Sequence, residues 1–304
     1  MTAEPWYWIV FTVLAAAAQT GRNAMQRDLT TRLGTIGATL VRFMYGLPFA
    51  ILACALILGM TGSSVPIPPS GSLSWALIGA VAQILATMLL LAAMQGRSFV
   101  VAIALSKIEP VWVGLFSLVL LGEMLELELG LAIVLATSGV LAVSWPERGT
   151  PWALRPVLMG VGSGAMFGVS AIGFRGAILG IPDADFASAA SLMLVVSMSV
   201  QTVMLCAWLR IIYPGTLTAV IAAWRPSLLT GALAAAASLC WFLAFALESA
   251  ARVRTLALVE LIFAHLLSRR LFGQGISSRE RLGLALLVIG VVIVLSTGWK
   301  DRMG

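Results

Sequence analysis

Ten transmembrane helices, arranged as two inverted five-helix halves around a central cavity, are the fold this sequence predicts, and three observations predict it. Apolar residues fill 60% of its 304 positions, charged residues only 11%, and the mean hydropathy is +1.02. That leaves too few polar side chains to clothe a water-soluble globule. About ten stretches of the chain are each long enough to supply the roughly 20 helical residues that a bilayer core demands. Finally, residues 94–145 slide forward by 151 positions onto 245–296 without a gap and match at twelve of fifty-two places. Glu109 falls on Glu260, Gly122 on Gly273 and Gly139 on Gly290.

The stretches run from about 5–26, 35–59, 72–94, 98–121, 127–145, 154–178, 186–212, 227–249, 251–272 and 280–299. Residues 111–121, Ser117 apart, and 284–295 are apolar on every face. A barrel strand would instead alternate apolar and polar positions, so these stretches predict helices. Met1 to Pro5 carries no Lys or Arg, so the first stretch reads as a retained span and not a cleaved signal. Cutting at the junction from Trp145 to Gly149 gives halves 1–147 and 148–304 with five spans each. An odd number makes the second copy enter the membrane in the opposite sense, as inverted-repeat carriers do.

Charge supports the inversion independently. The turn after the fourth stretch holds Glu123, Glu126 and Glu128, whereas its repeat counterpart holds Arg269, Arg270, Arg279 and Arg281. The positive-inside rule puts the basic turn in the cytoplasm with Arg27, Arg32, Arg97, Arg148, Arg155, Arg210 and Arg225, and both termini outside. The net charge of +6 is scattered over short loops and forms no basic stripe, which argues against nucleic-acid binding. Cys54, Cys206 and Cys240 each stand alone within a span and read as packing residues, not as a disulfide or metal site. Gly160, Gly164 and Gly168 recur every four positions, and Gly231 with Ala234 to Ala237 is similar; both groups predict close helix approach.

From Ala102 to Glu123 the chain resembles the EamA-type branch of the drug/metabolite transporter superfamily. The pattern of a Pro-Val in the fourth helix, a Gly-Glu at its end and a Leu-Gly-rich fifth helix is carried by Pro110, Val111, Gly122, Glu123, Gly130 and Gly139. Arg42 also matches the family's habit. The resemblance implies ten helices in two inverted halves and a multi-pass protein of a bacterial-type inner membrane. It also implies export of small metabolites, with amino acids foremost as in the family's amino-acid exporters. It puts both termini in the cytoplasm, opposite to the arginine count, and orientation stays open. The second copy departs from the pattern, with Leu261 at the place of Pro110 and Gln274 at that of Glu123.

An ionised side chain at the bilayer centre costs roughly 2.5–3.5 kcal/mol by insertion scales, so each one within a span must face protein or a wet cavity. Lys107 and Glu109 lie at the middle of the fourth stretch and Glu260 at the middle of the ninth. Two residues apart on a helix, Lys107 and Glu109 point about 200° from each other and need separate partners. Glu109 calls for a cation on another helix or a substrate ammonium, and Lys107 for a carboxylate; both are equally compatible with purely structural pairing. Pro110 removes an amide donor and is the candidate helix break, which would free the carbonyl near Ser106.

The other polar residues within spans are Gln19, Arg22, Asn23, Arg42, Tyr45, Gln83, Gln95, Gln201, Trp241, Glu248 and His265. Of these, Gln19, Arg42, Tyr45, Gln83 and Trp241 join Lys107, Glu109, Trp112 and Glu260 as cavity candidates. Arg22 and Arg42 fall within a turn or two of one membrane face, where long side chains snorkel. Trp112 and Trp241 lie deeper than the tryptophans of the interfacial belt and together could wall a cavity, while ordinary core packing is the better explanation for either taken alone.

These features predict a carrier for small amphipathic metabolites, amino acids with aromatic or other large neutral side chains being favoured. Multidrug or nucleoside export is the alternative within the family. No P-loop is present to use ATP, no metal-ligand spacing is found, and no cofactor is implied. An intramembrane enzyme such as a lipid-modifying transferase would need a clustered Asp-rich or H-E-x-x-H motif, whereas Asp28, Asp183, Asp185 and Asp301 sit near loops or ends. A channel is disfavoured by the lack of a filter-like loop or ring of like charges. The expected partners are a small-molecule substrate and the lipid bilayer, with monomer and homodimer both open.

Overall fold

A computed structural model describes residues 4, 6–94, 105–122, 124, 126–144, 154–261 and 278–303. Gln95, Arg97, Glu123, Trp145, Arg148, Trp152, His265, Arg269, Arg270, Gly273 and Gln274 lie outside the described residues. All regular structure among the described residues is helical. In chain order the helices are α1 (Tyr7–Met44), α2 (Leu47–Thr61), α3 (Ser70–Met94), α4 (Glu109–Phe116), α5 (Leu127–Ser144), α6 (Leu154–Leu179), α7 (Phe186–Ile212), α8 (Pro214–Ala222), α9 (Trp224–Leu247), α10 (Ala250–Leu256) and α11 (Ser278–Met303).

Among the described residues, six helical segments are long and apolar enough to cross a membrane: Asp28–Thr61, Ser70–Ala93, Val157–Leu179, Phe186–Ile212, Trp224–Leu247 and Arg279–Thr297. Glu109–Leu120 and Leu127–Val143 are shorter apolar helices. The protein is thus an all-helical, multi-pass membrane protein.

α1 is two helices joined at Gly34, whose φ of 70° and ψ of 174° reverse the chain. Across that reversal the Gln26 side chain donates to the Ala38 carbonyl at 2.8 Å, a contact that twelve helical residues in line could not make. The second expected span is interrupted once more, by a turn at Tyr45 and Gly46. Pro48, in the first turn of α2, has no amide to offer Met44.

Helix ends are closed by side chains. Asp185 caps α7, accepting from the amides of Ala187 and Ser188 at 3.1 Å each and from the Ser63 hydroxyl at 3.0 Å. Arg175 on α6 donates to the carbonyls of Phe245 at 2.7 Å and Glu248 at 2.6 Å, which satisfies the last turn of α9.

The most extensive helix pairings are α3 with α6, α1 with α9 and α5 with α11. Small residues let the main chains touch, as the sequence predicts for intramembrane packing. A Cβ added at Gly173 would lie 2.7 Å from the amide nitrogen of Gly79, and one at Gly164 would lie 2.8 Å from the Ser106 carbonyl oxygen. In the α5/α11 seam, a Cβ at Gly139 would come within 2.4 Å of the Gly283 oxygen and 2.6 Å of the Leu287 nitrogen. One at Gly290 would come within 2.7 Å of both the Ala132 oxygen and the Ala136 nitrogen. Position numbers fall along α5 as they rise along α11, so the two helices run antiparallel. The two sets of contacts also map onto each other under the shift of 151: 139 onto 290, 132 onto 283 and 136 onto 287.

Two expectations follow. Gly139→Val should destabilise the protein by about 1–3 kcal/mol through overpacking, whereas Gly59→Ala, with nothing within 4 Å of its new methyl, should not; thermal unfolding midpoints in detergent check this. Burial pushes the Asp185 carboxyl up, but hydrogen bonds from Ser188, Ser63 and Ala187 outweigh it and hold the group below the usual carboxylate range. Its contribution is therefore present above the unfolded-state pKa and lost as pH falls through the folded one. Asp185→Ala should cost about 1 kcal/mol at neutral pH, and the gap to the wild type should close on acidification.

Candidate functional site

The fourth and ninth expected spans are both irregular at the same register. Residues 105–106 are helical, Lys107 and Ile108 form a turn, and α4 restarts at Glu109 with Pro110 in its first turn. The break lies where proline predicts it. In the ninth span, α10 gives way to a 3-10 turn over Ala257–Val259 before Glu260. Subtracting 151 places that turn at 106–108, although Leu261 stands where the first copy has Pro110. The second interruption was not readable from a proline signal.

Four ionisable side chains meet at these two breaks. Lys107 is ion-paired with Glu260. Arg254 Nε lies 2.9 Å from Glu109 Oε1. Neither atom finds an aligned hydrogen bond there, so charge holds this second pair. Each repeated glutamate is therefore neutralised by a cation from the other helix. The pairing runs antiparallel, since 109 faces 254 and 107 faces 260. All four groups are largely withdrawn from solvent, with side-chain exposures of 15% for Lys107, 9% for Glu260, 6% for Arg254 and 12% for Glu109.

Aromatic rings and amides line the same region. The Arg254 guanidinium lies 4.2 Å from the Trp241 ring centroid and 5.2 Å from that of Phe245, so the cation rests on a π-face. Trp241 donates its indole N–H to Gln19 Oε1 at 3.1 Å, which ties α9 to α1. On the fourth span, Trp112 stacks on Phe116 at 5.8 Å, with its Cβ close to Gly168; its indole nitrogen is buried and has no hydrogen-bond partner among the described residues. Gln83 accepts from Gln201 at 2.9 Å between α3 and α7.

Arg22 and Arg42 depart from the snorkelling expectation, being only 2% and 1% exposed. Helix α1 presents Gln19, Arg22, Asn23 and Gln26 at i, i+3, i+4 and i+7, a polar stripe on one face. That stripe turns toward the other helices, and burial inside the protein replaces the water a snorkelling side chain would seek. Arg42 donates to the Thr87 hydroxyl at 2.9 Å and Arg22 to the Asn23 side chain at 2.7 Å. Tyr45 lies elsewhere: its hydroxyl donates to the Val220 carbonyl at 2.9 Å and fastens α8.

Sequence reasoning leaves Arg252 and Arg254 unassigned, although each carries the same signal as Lys107, a charge inside an apolar stretch. Arg252 reaches both oxygens of Glu126 at 3.0 Å and Glu248 at 3.5 Å. It thereby joins the turn after α4 to the α9/α10 junction.

Removing one partner of a buried ion pair costs about 3–5 kcal/mol because the other charge is left unpaired. Lys107→Met is expected to destabilise the protein by that amount, and Lys107→Met with Glu260→Gln to recover most of the loss. Denaturation midpoints of the single and double variants measure the coupling.

Comparison with known proteins agrees with this architecture. Residues 6–145, just under half of the chain, match the model of the EamA-like transporter family. A solved crystal structure superposes with a TM-score of 0.66 over 97% of this chain and 96% of that one. At 16% identity this is a likeness of fold alone. No curated protein matches the chain. The first half of the chain is thus similar to the EamA-like transporter family.

Proposed function

We propose that the protein is a secondary or facilitative carrier that exports small amphipathic metabolites, amino acids foremost, by alternating access across a bacterial-type inner membrane. In this reading ten spans form two inverted halves, 1–147 and 148–304, and substrate binds where the halves face each other. The observation that carries it is the crossed pairing of Lys107 with Glu260 and Glu109 with Arg254 at two matching helix breaks. Inverted-repeat carriers hold substrate at interrupted helices at the interface of their repeats. The antiparallel packing of α5 on α11 supports the inversion, because these helices are each other's counterparts under the shift of 151. So does the exchange of α3 with α6 for α1 with α9 under the same operation.

Trp241 and Trp112, close to these charges, are the walls against which an apolar side chain would rest. Gln19 and Gln83 supply amides beside them, already engaged with Trp241 and Gln201. The Lys107–Glu260 pair, contributed by both halves, would open when the halves part and close when they meet. Export of drugs or nucleosides by the same route is the second reading; the family match covers it equally.

Purified protein in proteoliposomes, offered amino acids, nucleosides and cationic drugs, should give saturable flux of at least one class, with amino acids first. Flux that rises linearly without saturation would point to a channel, and chemical conversion of the solute to an enzyme.

A further inference from the structure

The inner charges of the protein do not balance. Among the described residues, the buried groups around the two helix breaks are the cations Arg22, Arg42, Lys107 and Arg254 and the anions Glu109 and Glu260. Glu260 is committed to Lys107 and Glu109 to Arg254. Among the described residues, Arg22 and Arg42 have neutral hydrogen-bond partners only, an asparagine oxygen and a threonine hydroxyl. Arg22 Nε and Nη1 and Arg42 Nε are buried and donate to nothing among the described residues.

A guanidinium carries five N–H donors and stays charged. Burying one without a counter-charge costs several kcal/mol, and here two come together, because the reversal at Gly34 sets Gln26 against Ala38 and so brings Arg22, one turn before, opposite Arg42, one turn after. Burial of like charges side by side stabilises nothing by itself. It does prepare a site for an anion, since guanidinium groups in a region of low dielectric bind carboxylate or phosphate oxygens by charge-assisted, often bidentate hydrogen bonds.

We infer that Arg22 and Arg42 form an oxyanion receptor, and that the transported solute must carry a carboxylate or phosphate group which docks between them. The inference rests on the carrier reading and deepens it, because it excludes cationic drugs and uncharged nucleosides as substrates. Its place follows from the neighbours. Gln19 and Asn23 flank Arg22 on the α1 stripe, and Gln19 holds the Trp241 indole, so a solute anchored by its acidic end at Arg22 and Arg42 has the Trp241 and Phe245 rings beside it. Arg254, lying on those rings, connects the receptor to the ion pairs. Anion binding would offset the repulsion among the three arginines and thereby be felt at the Glu109 contact.

The test is binding to the full chain in detergent, read as the shift in thermal unfolding midpoint. The probes are phenylalanine, succinate and inorganic phosphate, each at rising concentration, with phenylalaninamide, succinamide and an uncharged nucleoside as controls. At least one acid should stabilise the wild type saturably and bind at least ten-fold more tightly than its amide. Arg22→Gln and Arg42→Gln should each weaken that binding at least ten-fold, and Arg42→Lys less. Saturation by phosphate alone assigns the receptor to phosphorylated solutes, and by the carboxylates alone to carboxylic acids.

Equal binding of acid and amide, no saturable response to any acid, or undiminished acid binding in both glutamine variants would overturn the inference. If the variants do not fold, the acid-to-amide ratio in the wild type still decides. Saturable transport of a solute without an acidic group would leave the carrier reading standing while the receptor falls. Selective acid binding without transport would do the reverse.

Discussion

A charge enclosed among apolar helices must be answered by another charge within a few ångströms, and this protein meets that demand between two segments far apart in the chain. Lys107 and Glu109 sit on one chain segment, Arg254 and Glu260 on the other, and neither segment is neutral within itself at the places where its groups point. Each needs the other to bury its ions. The attraction that holds the fourth and ninth spans together is therefore also what makes their separation costly, and a bound solute carrying charge can alter that cost. Arg252, clasping Glu126 and Glu248, repeats the arrangement nearer the helix ends.

Helix breaks are what allow these groups to face inward. An uninterrupted helix would present Lys107 and Glu109 on nearly opposite sides. The turn at Lys107 and Ile108 resets the direction of the chain between them, so both reach the ninth span. Gly164 and Gly168 on α6 leave room for that irregular backbone to lie close. The sequence shows this division of labour as two separate signals, a proline beside charges and a glycine stripe fifty residues later; only in three dimensions do they become one device.

Much of the architecture was legible in the chain because lipid imposes strong rules. Continuous apolar runs and a proline beside midspan charges reflect physical demands that composition and spacing record directly. What escaped has equally physical causes. The reversal at Gly34 and the turn at Tyr45 and Gly46 occupy apolar or weakly polar sequence in which a glycine signals little by itself. The 3-10 turn at Ala257–Val259 has no proline to announce it and packs against α1, α5 and α11. Arg22 and Arg42 looked interfacial by their distance from the span ends, yet which face of a helix turns inward is fixed by neighbours. For Arg254, the rule that flagged Lys107 applies without change, and the midspan carboxylates simply drew attention first.

The seam between α5 and α11 has a mechanical corollary. Main chains that touch at Gly139, Gly283 and Gly290 leave no layer of side chains to act as a lubricant, so sliding one helix along the other would drive carbonyl into carbonyl. Such a pair can tilt together but not shear. In the proposed carrier, movement would pivot about that line, with α5 and α11 as the axle and the helices bearing the arginines as the parts that swing.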